Sequence, residues 1–138
     1  MFYSNGYAGI GIGARAGNAS RAYAAVHAGS RIEGATPHGL VKILFDELLL
    51  SFDAAILSQE QGDMSKASEK QARAMSILHA LESSLDFERG GDIAVSLAQI
   101  YRAARRHMID AVRERSVEPM VQARGVIADI AGAWEQIG

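Results

Sequence analysis

The sequence predicts an all-α fold, an antiparallel up-and-down four-helix bundle with a flexible N-terminal segment. Three observations predict this class. Apolar residues recur at intervals of three and four over most of the chain, which is the spacing of helices packed on a core. Helix start and stop signals divide the pattern into four long segments joined by short connections, which favours antiparallel neighbours. No segment shows the polar–apolar alternation of a half-buried strand.

The capping signals predict helices over residues 37–59, 64–85, 92–114 and 117–136. Thr36 is a good N-cap for the first helix, and Pro37 suits its first turn. The string QGD then supplies a glycine stop and provides Asp63 as the next N-cap. The string RGG ends the second connection, and Ser116 caps the fourth helix.

The chain before the first helix differs in composition from the bundle. Residues 1–17 are rich in glycine and lack periodicity, so we expect a flexible tail. Residues 18–35 are expected to form a cap segment of the bundle domain, and a short helix over 19–28 is compatible with their sequence. Four of the eight Phe and Tyr residues lie in this part of the chain: Phe2, Tyr3, Tyr7 and Tyr23. Because aromatic rings are costly to leave in water, they indicate a segment that docks on a surface.

Composition and charge narrow the class of function. The 138-residue chain is 49% hydrophobic with a net charge of −2, which indicates one folded domain without whole-molecule attraction to nucleic acid. The absence of cysteine excludes thiol catalysis and fits a reducing cytosol. No secretory signal is recognisable, and acidic residues interrupt the longest apolar stretch, 43–57. We therefore expect a cytoplasmic protein with no membrane insertion.

Three of the predicted helices each carry one core stripe. On the second helix it consists of Ala67, Ala74, Ile77 or Leu78, Leu81 and Leu85. On the third helix it consists of Ile93, Leu97, Ile100, Ala104, Met108 and Ala111. On the fourth helix it consists of Met120, Ile127, Ile130 and Trp134.

The first helix has more apolar residues than one stripe requires. Its broad arc comprises Val41, Leu44, Phe45, Leu48, Leu49, Phe52, Ala55 and Ile56. A second arc comprises Ile43, Leu50, Ala54 and Leu57. A helix that is apolar nearly all round is usually a central, buried one. The alternative is that one arc lines a groove for a partner's helix, covered by the N-terminal segment when empty. The pattern leaves both interpretations open.

The sequence shows no convincing catalytic or metal site. His79 and Glu82, and likewise His107 and Asp110, have the spacing of a di-metal bundle motif, but in reversed order. Such a site also needs inward carboxylates from the other two helices, where the inward positions are aliphatic. No nucleophile motif is present. We expect no enzyme activity, no metal and no cofactor.

Arginines make the second half of the third helix basic: Arg102, Arg105, Arg106, Arg113 and Arg115. They form either a patch for nucleic acid or an acidic protein, or a solvated face that suits the negative end of the helix dipole. Interleaved aromatic residues and a recognition-helix motif are absent. We therefore expect no nucleic-acid partner. If the arginines do bind a partner, an acidic protein surface is favoured over nucleic acid.

Five strings, in order and at ungapped spacing, resemble a known family. They are AYAAV at 22–26, TPHGLVKILFD at 36–46, EQGD at 60–63, GGDIAVSLAQIY at 90–101 and IADIAGAWEQI at 127–137. They are similar to segments of the flagellin-specific export chaperones, the FliS family, and the resemblance covers residues 19–137. Each string alone is a weak signal, but five in register are specific.

The resemblance implies a cytosolic four-helix bundle that binds the C-terminal region of unpolymerised flagellin. Binding is then expected to prevent premature polymerisation and to assist delivery to the flagellar secretion apparatus, with an export-gate component as a further partner. The family also implies that the disordered client becomes helical on the bundle while the N-terminal segment leaves the groove. The alternative is a regulatory adaptor that sequesters a transcriptional or anti-sigma regulator through the same groove. The exposed arc also allows a homodimer when no client is bound.

The candidate partner-binding residues are Tyr23, Ile43, Leu50, Leu57, Ile77, Leu81, Ile93, Leu97 and Tyr101. Tyr23 matches the family's N-terminal tyrosine, and we assign it to the removable cap. Ile93, Leu97 and Tyr101 match the family's third-helix signature. The others come from the second arc of the first helix and from the apolar residues of the second helix.

This chain departs from the family pattern at three internal positions. Glu47 replaces the glycine that usually follows the Leu-aromatic-Asp element. Another segment is therefore less able to approach the helix backbone closely at this position. Ala103 stands where many relatives have a second tyrosine, and Val112 stands where they have asparagine. The glycine-rich extension before residue 19 is also longer than usual, so it acts either as a longer cap or as a tether.

Overall fold

The computed structural model describes residues 36–137. These residues form four α-helices: α1, Pro37–Glu60; α2, Met64–Ser83; α3, Phe87–Glu114; and α4, Glu118–Ile137. The described part of the chain contains no strand, and the predicted all-α class is confirmed. The predicted tail (1–17), cap segment (18–35) and short helix (19–28) lie outside the described residues.

The four helices pack in a ring. α1 contacts α2 and α4, and α3 contacts the same two helices, whereas the diagonal pairs barely touch. Short connections make consecutive helices antiparallel. Trp134 near the end of α4 donates a hydrogen bond to the carbonyl of His38 in the first turn of α1, so these two helices are antiparallel as well. The arrangement is an up-and-down bundle.

Side-chain caps explain where the helices begin. The Thr36 hydroxyl accepts a hydrogen bond from the backbone N–H of Gly39 at 2.9 Å. The Asp63 carboxylate accepts one from the backbone N–H of Lys66 at 3.1 Å, and Asp86 caps α3 in the same way. Each cap satisfies N–H groups that the first turn of a helix leaves without an intrahelical partner.

The third helix starts earlier than residue 92, where the glycine pair predicts its start. Its first turn begins at Phe87, because the Asp86 side chain caps it, and extends to Gly90. Gly91 then has φ 50° and ψ −125°, which kinks the helix before it continues. Glycine reaches this conformation without a steric penalty, whereas a residue with a side chain does not. The glycine pair that was predicted to precede the third helix therefore lies at a kink inside α3.

All four helices contribute to one core. The largest fully buried side chains are Phe45, Phe52, Leu44, Leu48, Ile77, Leu78, Leu81, Leu85 and Tyr101. The predicted stripe of the second helix is buried throughout, although α2 ends at Ser83 and Leu85 lies just beyond it. On α4, Met120, Ile127 and Trp134 are buried, and Ile130 packs partly buried against the core.

The predicted stripe of the third helix is wrong in its first half. The buried residues of α3 beyond its kink are Ala94, Ala98, Tyr101, Ala104, Met108 and Ala111. Ile93 is 50% exposed, and Leu97 and Ile100 only pack against the edge of the core. Both sets repeat at intervals of four and three, so periodicity alone could not choose between them. The small alanines fit between close helices, and this leaves the larger side chains at the margin of α3.

Candidate functional site

An apolar groove runs between α3 and α4, and we call it the α3–α4 groove. It is lined by Ile93, Leu97, Ile100, Ala103 and His107 of α3 and by Ala123, Val126, Ile130, Ala133 and Ile137 of α4. It exists because α3 turns its alanines inward and leaves larger side chains beside α4. From Ile93 to His107 the groove is about 21 Å long at 1.5 Å per helical residue.

Two cavities lie along this groove. The first, about 220 Å³, is at the beginning of α3 and the end of α4, and its walls include Phe45, Leu97 and Trp134. The second, about 180 Å³, lies farther along, between His107 and Val126. Nearly all of their surface is hydrocarbon. Such a row of apolar pockets is suited to side chains on one face of an amphipathic helix.

Tyr101 forms part of the wall of the first cavity. The side chain is fully buried, and within the described part of the chain its hydroxyl has no hydrogen-bond partner. Burial raises the pKa of this phenol, so it stays neutral at physiological pH. An unpaired buried hydroxyl is unusual because it loses its hydrogen bonds to water without replacement.

The start of α1 is attached to α4 beside the first cavity. The rings of His38 and Trp134 are stacked, with centroids 4.4 Å apart and an interplanar angle of 10°. The Trp134 indole N–H also donates to the His38 carbonyl at 3.0 Å. Partial burial lowers the pKa of His38. Because Trp134 lines the first cavity, the chain that precedes Thr36 joins the bundle next to the α3–α4 groove.

The second arc of the first helix lies on the outer surface of the bundle, and we call it the α1 stripe. It consists of Ile43, Leu50, Ala54 and Leu57. Leu50 is 62% exposed and Leu57 is 54% exposed, while Ile43 and Ala54 are partly buried. The broad arc is the one that faces the core. The packing therefore shows which arc of α1 faces outward, which the periodicity of the sequence could not determine.

Ion pairs border the α1 stripe on both sides. Asp53 accepts two hydrogen bonds from Arg124 of α4, at 2.9 and 3.3 Å. On the opposite side Glu47 pairs with Arg73 of α2 at 3.7 Å. The carboxylate of Glu47 therefore links α1 to α2.

The candidate residues do not converge on one site. Ile93, Leu97 and Tyr101 lie together at the first cavity of the α3–α4 groove. The α1 stripe, which includes Ile43, Leu50 and Leu57, is a separate surface, because α1 and α3 are diagonal in the bundle. Tyr23 lies outside the described residues.

Two of the candidates do not lie at the surface of the described bundle. Ile77 and Leu81 are fully buried in the core. α2 has few large apolar residues, so these side chains are needed to fill the centre of the bundle. The α4 side of the groove was missed instead: Val126, Ile130, Ala133 and Ile137 recur at fours and threes. That spacing was a usable signal, but it is the same signal that a core stripe produces.

Among residues 36–137, no group of three potential metal ligands comes together. Glu82 instead pairs with Arg102 and Arg105, each at 2.7 Å. Burial raises the pKa of Glu82, but its bonds to the two arginines outweigh this effect and lower the pKa overall. Asp110 pairs with Arg113 at 2.7 Å. Much of the basic stretch of α3 is thus engaged by carboxylates of the bundle.

None of the helices in the described residues is both long and apolar enough to cross a lipid bilayer.

Comparison with known proteins places the chain in a family. The family described as "Flagellar protein FliS" matches residues 19–138. The Flagellar secretion chaperone FliS of Salmonella typhimurium is 34% identical over 118 residues, covering 85% of this chain and 87% of that protein. The protein of the same name from Vibrio cholerae is 28% identical over 117 residues, covering 85% and 86%. The one from Escherichia coli is 25% identical over 122 residues, covering 88% and 90%.

The family match includes all four helices and extends into the chain before α1. Its members' names describe chaperones of flagellar secretion, which agrees with a helical bundle that presents an apolar groove. The chain belongs to the FliS family of flagellar secretion chaperones.

Proposed function

We propose that this protein is a cytosolic chaperone that binds the C-terminal region of unpolymerised flagellin. By covering that region it prevents premature polymerisation, and it assists delivery of the subunit to the flagellar secretion apparatus. The observation that carries this proposal is the α3–α4 groove, a row of apolar pockets on a member of a flagellar secretion chaperone family.

The form of the groove suits a helical segment of the client. Its length of about 21 Å corresponds to roughly four helical turns, enough for apolar anchors at i, i+3 or i+4, and i+7. The rim residues Ile93, Val126 and Ile137 are each about half exposed, so a client can bury them without unfolding the bundle. A client that orders on binding loses part of the gain to conformational entropy, which favours its later release.

The segment before α1 is the proposed cover of the empty groove. It joins the bundle beside Trp134, which lines the first cavity, so residues 18–35 need no long connection to reach the groove. Tyr23 is the aromatic residue that we assign to this contact. The client and this segment then compete for the same apolar surface. The loaded chaperone presents its client to an export-gate component.

Calorimetry of the full-length protein against a C-terminal peptide of its own organism's flagellin tests the proposal, with circular dichroism on the same mixture. We expect saturable one-to-one binding, a negative heat-capacity change and additional helix. If a folded bundle does not bind the peptide, the flagellin proposal is wrong. A regulatory adaptor with a different client then becomes the better explanation.

A matched pair of variants locates the binding surface. Ile93→Asn places an amide in the groove, and Val95→Asn makes the same kind of change two residues away on the outer face of α3. Both side chains are about half exposed, at 50% and 46%, so neither variant should unfold the bundle. We expect Ile93→Asn to weaken peptide binding roughly tenfold and Val95→Asn to leave it unchanged. Equal effects would exclude the groove as the binding surface.

A further inference from the structure

The second cavity of the α3–α4 groove is formed by small side chains. Its floor consists of Ala104 of α3 and Ala123 of α4, which are 2% and 3% exposed. Ala103 stands in its wall on the α3 side and is only partly buried. Because an alanine side chain ends at Cβ, these three residues leave a space of about 180 Å³ between the two helices. A larger side chain at any of them would fill part of that space.

The same cavity is suited to an apolar side chain and not to a charged one. Ile100, Val126 and His107 complete its wall, and its surface is almost entirely hydrocarbon. Among the described residues that line it, none is Asp, Glu, Lys or Arg. A charged group placed there would lose its contacts with water without gaining an ionic partner. A large apolar side chain instead gains roughly ten- to a hundredfold in affinity from its burial.

The spacing of the two cavities restricts how a client helix can fill both. On α3 the first cavity is centred near Leu97 and the second near Ala104, which places them about 10 Å apart at 1.5 Å per residue. On α4 the corresponding separation is about nine residues, or about 13 Å. Residues i and i+7 of a helix share one face and are about 10.5 Å apart, whereas i+4 reaches only about 6 Å and i+11 reaches about 16.5 Å. Two client side chains seven residues apart therefore fit the two cavities best.

We propose that Ala103 determines which client helices this protein accepts, because it keeps the second cavity open for a large apolar side chain seven residues from the one that fills the first. This inference rests on the proposed function, since it assigns the chemistry of the flagellin segment that binds in the α3–α4 groove. A client helix with a small or charged residue at the second position binds through one cavity alone. The second cavity thus selects among helices that fill the first one equally well.

Filling the cavity from the side of the protein tests the role of Ala103. Ala103→Leu puts a branched side chain into the space that the client residue would occupy. We expect roughly a tenfold loss of affinity for the C-terminal flagellin peptide, measured by calorimetry of the full-length protein. The urea midpoint should equal or exceed that of wild type, because filling a cavity usually stabilises a fold. Ala72→Leu makes the same change at an exposed position of α2 that lines neither cavity, and it should leave peptide binding unchanged.

Coupling between protein and peptide distinguishes a direct contact from an indirect effect. Each large apolar residue of the peptide is replaced by alanine in turn, and binding is measured to wild type, Ala103→Leu and Ala133→Leu. We expect one peptide residue whose truncation weakens binding to wild type roughly tenfold but weakens binding to Ala103→Leu by less than about twofold. A second peptide residue, seven positions away, should couple in the same way to Ala133→Leu, because Ala133 lines the first cavity.

Val126→Phe fills the second cavity from the opposite wall and supports the test if Ala103→Leu does not fold. Val126 is 46% exposed, so the added ring should not disturb the core. We expect the same loss of affinity and coupling to the same peptide residue. Unchanged or tighter peptide binding by the folded variants overturns the proposal, and so do coupled peptide residues at a spacing other than seven. Failure of the folded wild-type protein to bind the peptide overturns the proposed function and this inference with it, so the two failures are distinguishable.

Discussion

At the scale of single residues, the buried Tyr101 and the partly buried Glu82 carry polar groups in different surroundings. Tyr101 is fully buried beside the first cavity, with no hydrogen-bond partner for its hydroxyl among the described residues. Glu82 also lies largely within the protein, but Arg102 and Arg105 hold its carboxylate. The hydroxyl of the first is therefore expected to oppose folding, and the charge of the second to favour it.

Tyr101→Phe tests the hydroxyl alone, because the ring that fills the core is kept. We expect the free energy of unfolding to stay the same or rise by up to about 1 kcal/mol, since the unpaired group is removed. Urea unfolding followed by circular dichroism measures the change. A loss of more than about 1 kcal/mol would instead mean that the hydroxyl forms a hydrogen bond in solution.

Glu82→Gln tests the partly buried carboxylate through the pH dependence of the free energy of unfolding. The pKa of Glu82 is lowered in the folded protein, so its ion pairs stabilise the fold above the pKa of the unfolded chain. This contribution is lost as the pH falls through the lowered pKa. At pH 7 we expect Glu82→Gln to reduce the free energy of unfolding by about 1–2 kcal/mol, and the difference from wild type to disappear in acid.

Asp110→Asn is the control for this measurement. Asp110 pairs with Arg113, whose side chain is 70% exposed, and exposed pairs contribute little. We expect a change of less than about 0.5 kcal/mol at any pH. A difference between wild type and Glu82→Gln that does not vary with pH would show that the arginine contacts do not stabilise the ionised form.

At the scale of the elements, α3 is divided by a kink close to its N-terminus. Gly91 separates a first turn, capped by Asp86, from the long body of the helix. The rotation of that body places Ala94 and Ala98 in the core and Ile93 and Leu97 at the margin. The residues at that margin line the first cavity.

Gly91→Ala should destabilise the protein, because φ 50° with ψ −125° is a conformation that alanine adopts only under strain. We expect a loss of about 1–3 kcal/mol in the free energy of unfolding, measured by urea titration. Gly125→Ala is the matched control on α4, where an added methyl group meets no atom within 4 Å. It should raise stability by about 0.5–1 kcal/mol, because alanine favours a helix over glycine. A neutral Gly91→Ala would show that the kink can relax.

At the scale of the whole molecule, residues 36–137 expose apolar surfaces on different sides of the bundle. The α3–α4 groove lies next to the point where the N-terminal segment joins α1, and the α1 stripe lies on the outer surface. The first is our proposed client site. The two are separable by mutation, since they share no residue.

Tyr23→Ala in the full-length protein tests whether the N-terminal segment covers the groove. If it does, the variant should bind the flagellin peptide several-fold more tightly or faster, because a competing state of the groove is weakened. Calorimetry and stopped-flow fluorescence measure the two quantities. Weaker binding by a bundle with unchanged circular dichroism would show that Tyr23 contacts the client, which contradicts the cover.

Several features could be predicted from the sequence because they depend on local chemistry. The N-caps Thr36 and Asp63 and the helical spacing of the apolar residues are local signals, and together they predicted a four-helix bundle. Five strings in register resembled segments of the family. The candidate site was only partly predictable: Ile93 and Leu97 lie in the groove, whereas Ile77 and Leu81 are core residues. An apolar residue at helical spacing produces the same sequence pattern whether it lies in the core or in an exposed groove.

By itself, then, the sequence determined the fold class, the positions of most helix boundaries and the family to which the chain belongs. The tertiary structure alone decided which arc of α1 faces outward, which of two equally spaced stripes of α3 is buried, and that α4 forms the second wall of the groove. The physical reason is that capping and periodicity act within one helix. The rotation of a helix about its axis is decided by the volumes of the side chains on its neighbours, and small alanines in α3 allow a close approach that larger residues would prevent.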